Sequence, residues 1–329
     1  MAGSGDTRAV RLRRRPTDQP AVVCGSGSPR LGAAICAELG VKPAEAETIR
    51  FAEGTLFVRL LENVRGRDVY VVQSTVYPAN DNVVELLFWL DAARRASAAS
   101  VTAVAPYFAY GKGDKKDEPR VSIRARVIAD AIEAAGADRV VAMDLHAPQI
   151  QGFFRAPVDD LYAMPVLVEA IRGLGLASPV IVSPDAGYAK MARRFARRLG
   201  AGFALADKTR SGHDEKADVF GLLGDVEGRD AVLVDDFAAS GGTLVEAAER
   251  LVERGARTVV AAVTHGLFSG DATAKLAASP IERLIVTDTV ENHPHPPGPK
   301  VEVVSVAGLF AEAIKRIHAR ESISVLFRE

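Results

Sequence analysis

The stretch AVLVDDFAASGGTLVEA, residues 231–247, carries two adjacent carboxylates, Asp235 and Asp236, at the end of an apolar run. A loop of small residues follows, Ala239, Ser240, Gly241, Gly242 and Thr243, and then a helical pattern begins. Small residues let backbone N–H groups close on a phosphate, and the helix N-terminus behind them adds partial positive charge. Carboxylates just before such a cradle suit sugar hydroxyls or a cation beside them. Phosphate and polyol together point to a sugar phosphate. A tight strand–helix turn that binds nothing would leave the paired acids unexplained.

Other chemistry-bearing residues sit at the ends of similar apolar runs. In MDLHAPQIQGFF, Asp144 and His146 occupy alternate positions, which on a strand places both on one face. One carboxylate and one imidazole could help hold a hydrated Mg²⁺, although His is an unusual ligand for so hard an ion. A lone His is more often structural. In VSPDAG, Asp185 suits helix capping as well as ligand binding. In ADKTRSGHDEKAD, Lys208 and Arg210 alternate; a mobile lid closing over phosphates and a solvated loop both fit. The basic loop YGKGDKKDEPR, 110–120, could receive a nucleoside triphosphate or lie exposed, and its composition does not decide.

These residues need a scaffold that brings strand ends together. From residue 21 onward, Val/Ile-rich runs such as AVVCGSG, DVYVVQST, VTAVAPYF, RVVAMDLH, PVIVSPD, AVLVDD, RTVVAAVTH and RLIVTDT alternate with helical patterns. Those patterns include DNVVELLFWLDAARRAS, SIRARVIADAIEAAG, AKMARRFARRLG and TLVEAAERLVERG, several stopped by Gly. The fold class expected is α/β, with mainly parallel sheets flanked by helices. Ligands in such sheets bind outside the carboxyl ends of the strands. VRGRDVYVVQST resembles VEGRDAVLVDDF, a weak internal repeat consistent with two related halves.

The bulk numbers bound the rest. A chain of 329 residues, 48% hydrophobic, supports two domains with sizeable cores. Its 41 basic residues nearly cancel 42 acidic ones, so no overall field favours nucleic acid or an anionic membrane. No apolar run reaches the ~18 residues of a span, and the N-terminus shows no apolar signal core. Cys24 and Cys36 form neither a metal pattern nor a disulfide framework. The expected class is a soluble, cytoplasmic, globular protein. Residues 1–20, mixing Gly, Ser, Pro and Arg without an apolar period, read as a mobile tail.

Taken in order, DLHAPQIQGFF, PVDDLYA, VSPDAG, ADKTR and VDDFAASGGTL resemble the ribose-phosphate pyrophosphokinase (phosphoribosyl pyrophosphate synthetase) family. ENVRGRDVYVVQST, PANDNVVELLFWLDAARRASA, TDT and ESISVLF extend the likeness from about residue 21 to the C-terminus. The resemblance implies two phosphoribosyltransferase-type α/β domains, 21–160 on the ATP side and 161–305 on the ribose 5-phosphate side. Residues 306–329 would return to the first. It implies transfer of the β,γ-pyrophosphoryl group of Mg-ATP to the 1-hydroxyl of ribose 5-phosphate, giving AMP. Dimers assembling to hexamers, and regulation by phosphate and ADP, would follow.

Carried over by position, the resemblance puts the 5-phosphate in the loop from Ala239 to Thr243, with Asp235 and Asp236 on the ribose hydroxyls. His146 and Asp185 would contact magnesium, with Asp144 and Asp159 in the broader metal pattern. Lys208 and Arg210 would be the catalytic loop, with Arg210 also reaching the sugar phosphate. Lys112, Gly113, Asp114 and His146 would line the ATP side, and Phe51, Glu53 and Thr55 the adenine turn offered by a neighbouring subunit. Arg65, Ser322 and Ser324 match a regulatory anion site.

Six positions, in four segments, depart from the family pattern. The family's DDMIDTGGT reads DDFAASGGT here, so Ala239 stands for an Asp and Ser240 for a Thr. Arg155 replaces an Asp, Lys112-Gly113 replaces Arg-Gln with loss of a planar bidentate donor, and Thr55 replaces a Glu. Alternatives are a non-catalytic regulatory paralogue, a phosphoribosyltransferase that consumes the activated sugar, and a variant acting on a modified pentose phosphate.

Overall fold

The computed structural model describes residues 19–210, 218–293 and 297–327, and for 207–210, 218–220 and 327 it describes the backbone alone. Thus residues 1–18 of the N-terminal tail lie outside the described residues.

The first half begins with β1 (Ala21–Cys24) and α1 (Pro29–Leu39), then an antiparallel pair, β2 (Ala46–Arg50) and β3 (Leu56–Leu60). It continues with β4 (Asp68–Val72), α2 (Ala79–Arg95), β5 (Ser100–Ala105), α3 (Arg124–Ala135), β6 (Arg139–Met143) and β7 (Val158–Leu161). Its five-stranded sheet has the order β1-β4-β5-β6-β7 and is parallel throughout.

The second half contains α4 (Met164–Gly173), β8 (Pro179–Ser183), α5 (Ala189–Leu199), the hairpin β9 (Gly202–Arg210) and β10 (Asp218–Leu223), β11 (Asp230–Ala238) and α6 (Gly242–Glu253). After these come β12 (Thr258–Gly266), α7 (Ala272–Ala278), β13 (Arg283–Thr287), β14 (Val301–Val304) and α8 (Ala307–Ala319). The order is β10-β9-β8-β11-β12-β13-β14, with only β10 antiparallel to its neighbour. The α/β class with mainly parallel, helix-covered sheets is therefore the observed one. Among the described residues no helix is long and apolar enough to cross a membrane.

Central strands such as β4, DVYVV, are buried along their whole length, as a sheet covered on both faces requires. One apolar layer is shared by the two halves. Val22, Tyr70 and Met143 from the first sheet join Ile181, Val234 and Ile285 from the second, with Leu31 of α1 and Phe310 of α8 between them. Each half has a second layer outside its sheet, around Trp89 in the first and Leu251 in the second. Helix α8 packs along α1. The halves thus meet with the carboxyl ends of β6 and β11 facing one cleft.

A carboxylate also pins them. Glu291, buried in the second half, accepts the backbone N–H of Leu31 at 2.6 Å and of Arg30 at 3.0 Å, capping the first turn of α1.

Candidate functional site

The site forms where β11 runs into α6. Asp235 and Asp236 lie near the carboxyl end of β11, and after Ala238 the chain turns through Ala239 and Ser240. Gly241 caps α6 with φ +73°, a left-handed conformation that costs a residue with a Cβ about 1–2 kcal/mol. No side chain caps this helix start, so its first N–H groups face outward. Ser240 and Thr243 are exposed beside them, while Ala239 is half-buried, its carbonyl accepting Ser269 N–H at 3.0 Å.

The corresponding small-residue loop of the first half, 25–28, is filled by the protein itself. Glu85 Oε1 accepts from Ser26 N–H at 3.0 Å, the Thr48 hydroxyl at 3.0 Å and the Trp89 indole at 3.2 Å. Gly27 N–H goes to Gln73 Oε1 at 2.9 Å. A Cβ on Gly25 would lie 2.1 Å from that same oxygen. Of the two loops, the one open to an anion is in the second half.

Across the cleft, His146 Nδ1 lies 2.8 Å from Asp236 Oδ2, joining the halves. This hydrogen bond, the largest contribution, raises the imidazole pKa above its ordinary value. With Asp236 as acceptor, Nδ1 carries the proton and Nε2 is left for a ligand. The turn Gly111–Gly113 after β5 sends Lys112 over the same strand end, its ammonium 3.9 Å from the Phe237 ring centroid. The His146 ring stands 5.4 Å from that ring at 59°. Asp114 accepts from Gln149 at 2.9 Å on the same side of the cleft.

Asp235 is the most perturbed carboxyl in this cluster, pushed up to about 8, first by burial and then by the charge of Asp236. Asp185 adds to that repulsion. It also accepts Tyr188 N–H at 3.1 Å, tightening the turn that leads into α5. Asp185 is exposed and holds this turn without capping α5, whose N-cap position is Tyr188 and which has no side-chain cap.

Several sequence expectations need correction. Asp144 and His146 do not share a strand face. Strand β6 ends at Met143, and Asp144 adopts φ +42°, which turns its carboxylate inward. Its Oδ2 accepts Ala163 N–H at 3.0 Å and the Thr264 hydroxyl at 2.6 Å, and burial pushes its pKa up to about 6. It braces the two halves instead of facing the cleft. Asp159 pairs with Arg139 at the start of β6, away from His146, because β7 runs parallel to β6 and places Asp159 opposite Val141.

Lys208 and Arg210 fall on β9, paired with β10 at Phe220 and Asp218, not on a loop. Their side chains, and 211–217, lie outside the described residues. Arg155 sits by α3: Glu133 Oε1 accepts its backbone N–H at 2.6 Å, and, after the Arg126 hydrogen bond, its charge helps lower the pKa of Asp130 on the same helix.

Two groups of residues from the same sequence reading stand apart from the cleft. Phe51, Glu53 and Thr55 form the turn between β2 and β3, with Phe51 exposed and the Thr55 hydroxyl donating to Glu53 at 2.8 Å. Ser322 and Ser324, 2.9 Å apart through their hydroxyls, line a cavity of about 440 Å³ with Arg139 and Arg320; Arg65 is not part of its lining.

Sequence reasoning missed Phe237, Tyr188, Thr264 and His265. Buried His265 contacts Met143 O at 3.0 Å through Nε2 and Thr289 Oγ1 at 2.8 Å through Nδ1, and burial lowers its pKa to about 4. None of the four stands in a spacing that marks it. Among the described residues no group of three or more His, Cys, Asp or Glu is placed to hold a metal unaided.

Comparison with known proteins agrees along most of the chain. Residues 21–136 match the family described as the N-terminal domain of ribose phosphate pyrophosphokinase, and residues 213–328 match the phosphoribosyl synthetase-associated domain. The ribose-phosphate pyrophosphokinase of Aquifex aeolicus is 46% identical over 307 residues, covering 93% of this chain and 98% of that protein. That of Caldanaerobacter subterraneus subsp. tengcongensis is 46% identical over 95% of this chain and 99% of its own. The crystal structure of phosphoribosylpyrophosphate synthetase from Mycobacterium smegmatis superposes with a TM-score of 0.86 at 37% identity, covering 92% of this chain and all of that one. This chain belongs to the ribose-phosphate pyrophosphokinase family.

Proposed function

We infer that this chain transfers the β,γ-pyrophosphoryl group of Mg-ATP to the 1-hydroxyl of ribose 5-phosphate, giving 5-phosphoribosyl 1-pyrophosphate and AMP. The observation that carries the reading is the pairing, in a member of this family, of an open small-residue loop behind Asp235–Asp236 with His146 and Lys112 across the cleft. The 1-hydroxyl oxygen bonds to the β-phosphorus as that phosphorus leaves the α–β bridging oxygen, and the hydroxyl proton is released. Such transfers are accelerated chiefly by alignment and by neutralising charge on the phosphoryl oxygens.

In this reading the N–H groups at the start of α6, with Ser240 and Thr243, hold the 5-phosphate. Asp235 and Asp236 hold the ribose hydroxyls. Residues 21–160 carry the nucleotide through Lys112, Asp114 and His146, and 161–305 carry the sugar, with 306–329 returning to the first part. Lys208 and Arg210 neutralise charge on the transferred group. An imidazole whose pKa is raised by Asp236 donates to phosphate better than it ligates a hard cation. Carboxylate oxygens such as those of Asp185 and Asp235 suit Mg²⁺ better by type, and a carboxyl pushed up first by burial and then by a like charge is one that a cation relieves. Bound there with the substrate's phosphates, Mg²⁺ would neutralise phosphoryl charge.

The exposed turn carrying Phe51, Glu53 and Thr55 suits contribution to a neighbour's site within a homo-oligomer of dimers building a hexamer. Phosphate and ADP are its proposed effectors, acting at Ser322 and Ser324, with Arg65 supplied from elsewhere in the assembly.

The test is incubation with Mg-ATP and ribose 5-phosphate, followed by phosphorus NMR for AMP and the pyrophosphorylated sugar. No AMP over a range of phosphate concentrations, with both ligands bound, overturns the reading. The retained pair Asp235–Asp236 favours an active enzyme over a regulatory paralogue.

A further inference from the structure

The turn Gly111–Gly113 carries one cation and one gap. Lys112 reaches across the cleft to the face of Phe237. The next position has no side chain, and the space it would use is taken. A Cβ on Gly113 would lie 2.6 Å from Arg124 Nε, 2.8 Å from Arg124 Cβ and 3.3 Å from Arg124 Cζ. Arg124 opens α3, which packs against this turn, so its guanidinium lies where a long side chain at 113 would begin.

Arg124 is exposed, and among the described residues none offers it a hydrogen bond or an ion pair. Its place in the helix is also unfavourable. The first turn of α3 contains no acidic residue, so a cation stands at the positive end of the helix dipole without compensation. An arriving anion would satisfy both the dipole and the guanidinium. Arg presents a planar fork that matches phosphate oxygens in pairs, whereas Lys112 is a point charge on a flexible stem.

We propose that Arg124 is the planar phosphate donor of the nucleotide side, contacting the triphosphate of Mg-ATP from the space vacated at Gly113. The Lys112-Gly113 departure is then a relocation of the donor to α3, not a loss. The inference rests on the reading that the 110–120 turn receives ATP.

The experiment is a two-residue cycle read by steady-state kinetics and by calorimetric binding of Mg²⁺ with a non-hydrolysable ATP analogue. Loss of a charge-assisted hydrogen bond predicts that Arg124→Ala raises the KM for ATP and the analogue's Kd about tenfold or more. Both kcat and the KM for ribose 5-phosphate should stay within about twofold of wild type if the contact is made equally before and during transfer. Gly113→Gln alone should crowd Arg124 and impair nucleotide use. Combining Gly113→Gln with Arg124→Ala should recover ATP affinity toward wild type.

An unchanged KM and Kd for nucleotide in Arg124→Ala overturns the proposal. So do an equal rise in both substrate KM values and purely additive effects in the double variant. The calorimetric readout separates this outcome from failure of the activity itself: a wild-type protein that binds the analogue through Arg124 yet makes no AMP sinks the functional reading and keeps this one.

Discussion

Glu291→Gln tests how the two halves are held at the angle that lets His146 meet Asp236. Glu291 Oε1 accepts Leu31 N–H at 2.6 Å; Oε2 accepts Arg30 N–H at 3.0 Å and Arg30 Nε–H at 2.9 Å. Gln keeps one acceptor but turns an NH₂ toward two donors, leaving the Arg30 amide without a partner at a helix start. A lost backbone hydrogen bond to a charged group costs about 1.5–3 kcal/mol. Losing the negative charge at the helix N-terminus costs about 0.3–1 kcal/mol more. The Arg30 side chain is 78% exposed, so its ion pair adds at most a few tenths of a kcal/mol. The sum is about 2–4 kcal/mol. With an unfolding entropy of about 2.1 cal/mol/K per residue over 329 residues, that lowers Tm by about 3–6 °C. Scanning calorimetry of wild type, Glu291→Gln and Arg30→Ala decides it. A Glu291→Gln Tm within about 1 °C of wild type, or an Arg30→Ala loss as large as that of Glu291→Gln, would refute the capping account.

Ala239→Asp should lower the KM for ribose 5-phosphate about two- to tenfold, the worth of one hydrogen bond to a sugar hydroxyl. An unchanged or slower enzyme means the loop is built around alanine. The Asp235 carboxyl, at about 8 in the fold, lies above its unfolded value. The folded state therefore keeps an extra proton through that window, and the stabilisation is lost as pH rises through it. Asp160, at about 7, acts in the same direction, and Asp144, at about 6, has lost most of its share by pH 6.5. His265, lowered to about 4, opposes them only below about pH 6.5. Stability of the free enzyme should fall between pH ~6.5 and ~8 by about 2–3 kcal/mol, and Asp235→Asn should flatten the decline. An equally steep Tm profile in that variant rejects the assignment.

The elements that the sequence misses share a physical cause. Strands β2, β3 and β7 lie at an edge or in a two-stranded ribbon, and the part of β9 from 206 onward pairs with β10 alone, so these stretches lack a continuous apolar run. ADKTR reads as a polar loop for that reason, yet its backbone completes a ladder with β10. Helix α1 is hidden by Gly32. A Cβ there would lie 2.6 Å from Cys24 Sγ, so close packing, not helix propensity, selects the glycine.

By itself the sequence determined the alternation of buried strands with amphipathic helices, the small-residue turn that leads from Asp235–Asp236 into a helix, and the family. These are local patterns, legible because periodicity and turn chemistry act over a few residues. Tertiary structure alone decided which carboxylates face the cleft. The positive φ at Asp144 sends that side chain to Thr264, 120 positions away, and leaves His146 to Asp236. It also decided that Asp159 belongs to Arg139, that Lys112 rests on Phe237, and that Arg124 fills the space beside Gly113. Each depends on where a distant strand end or helix start comes to lie, and no spacing along the chain encodes that distance.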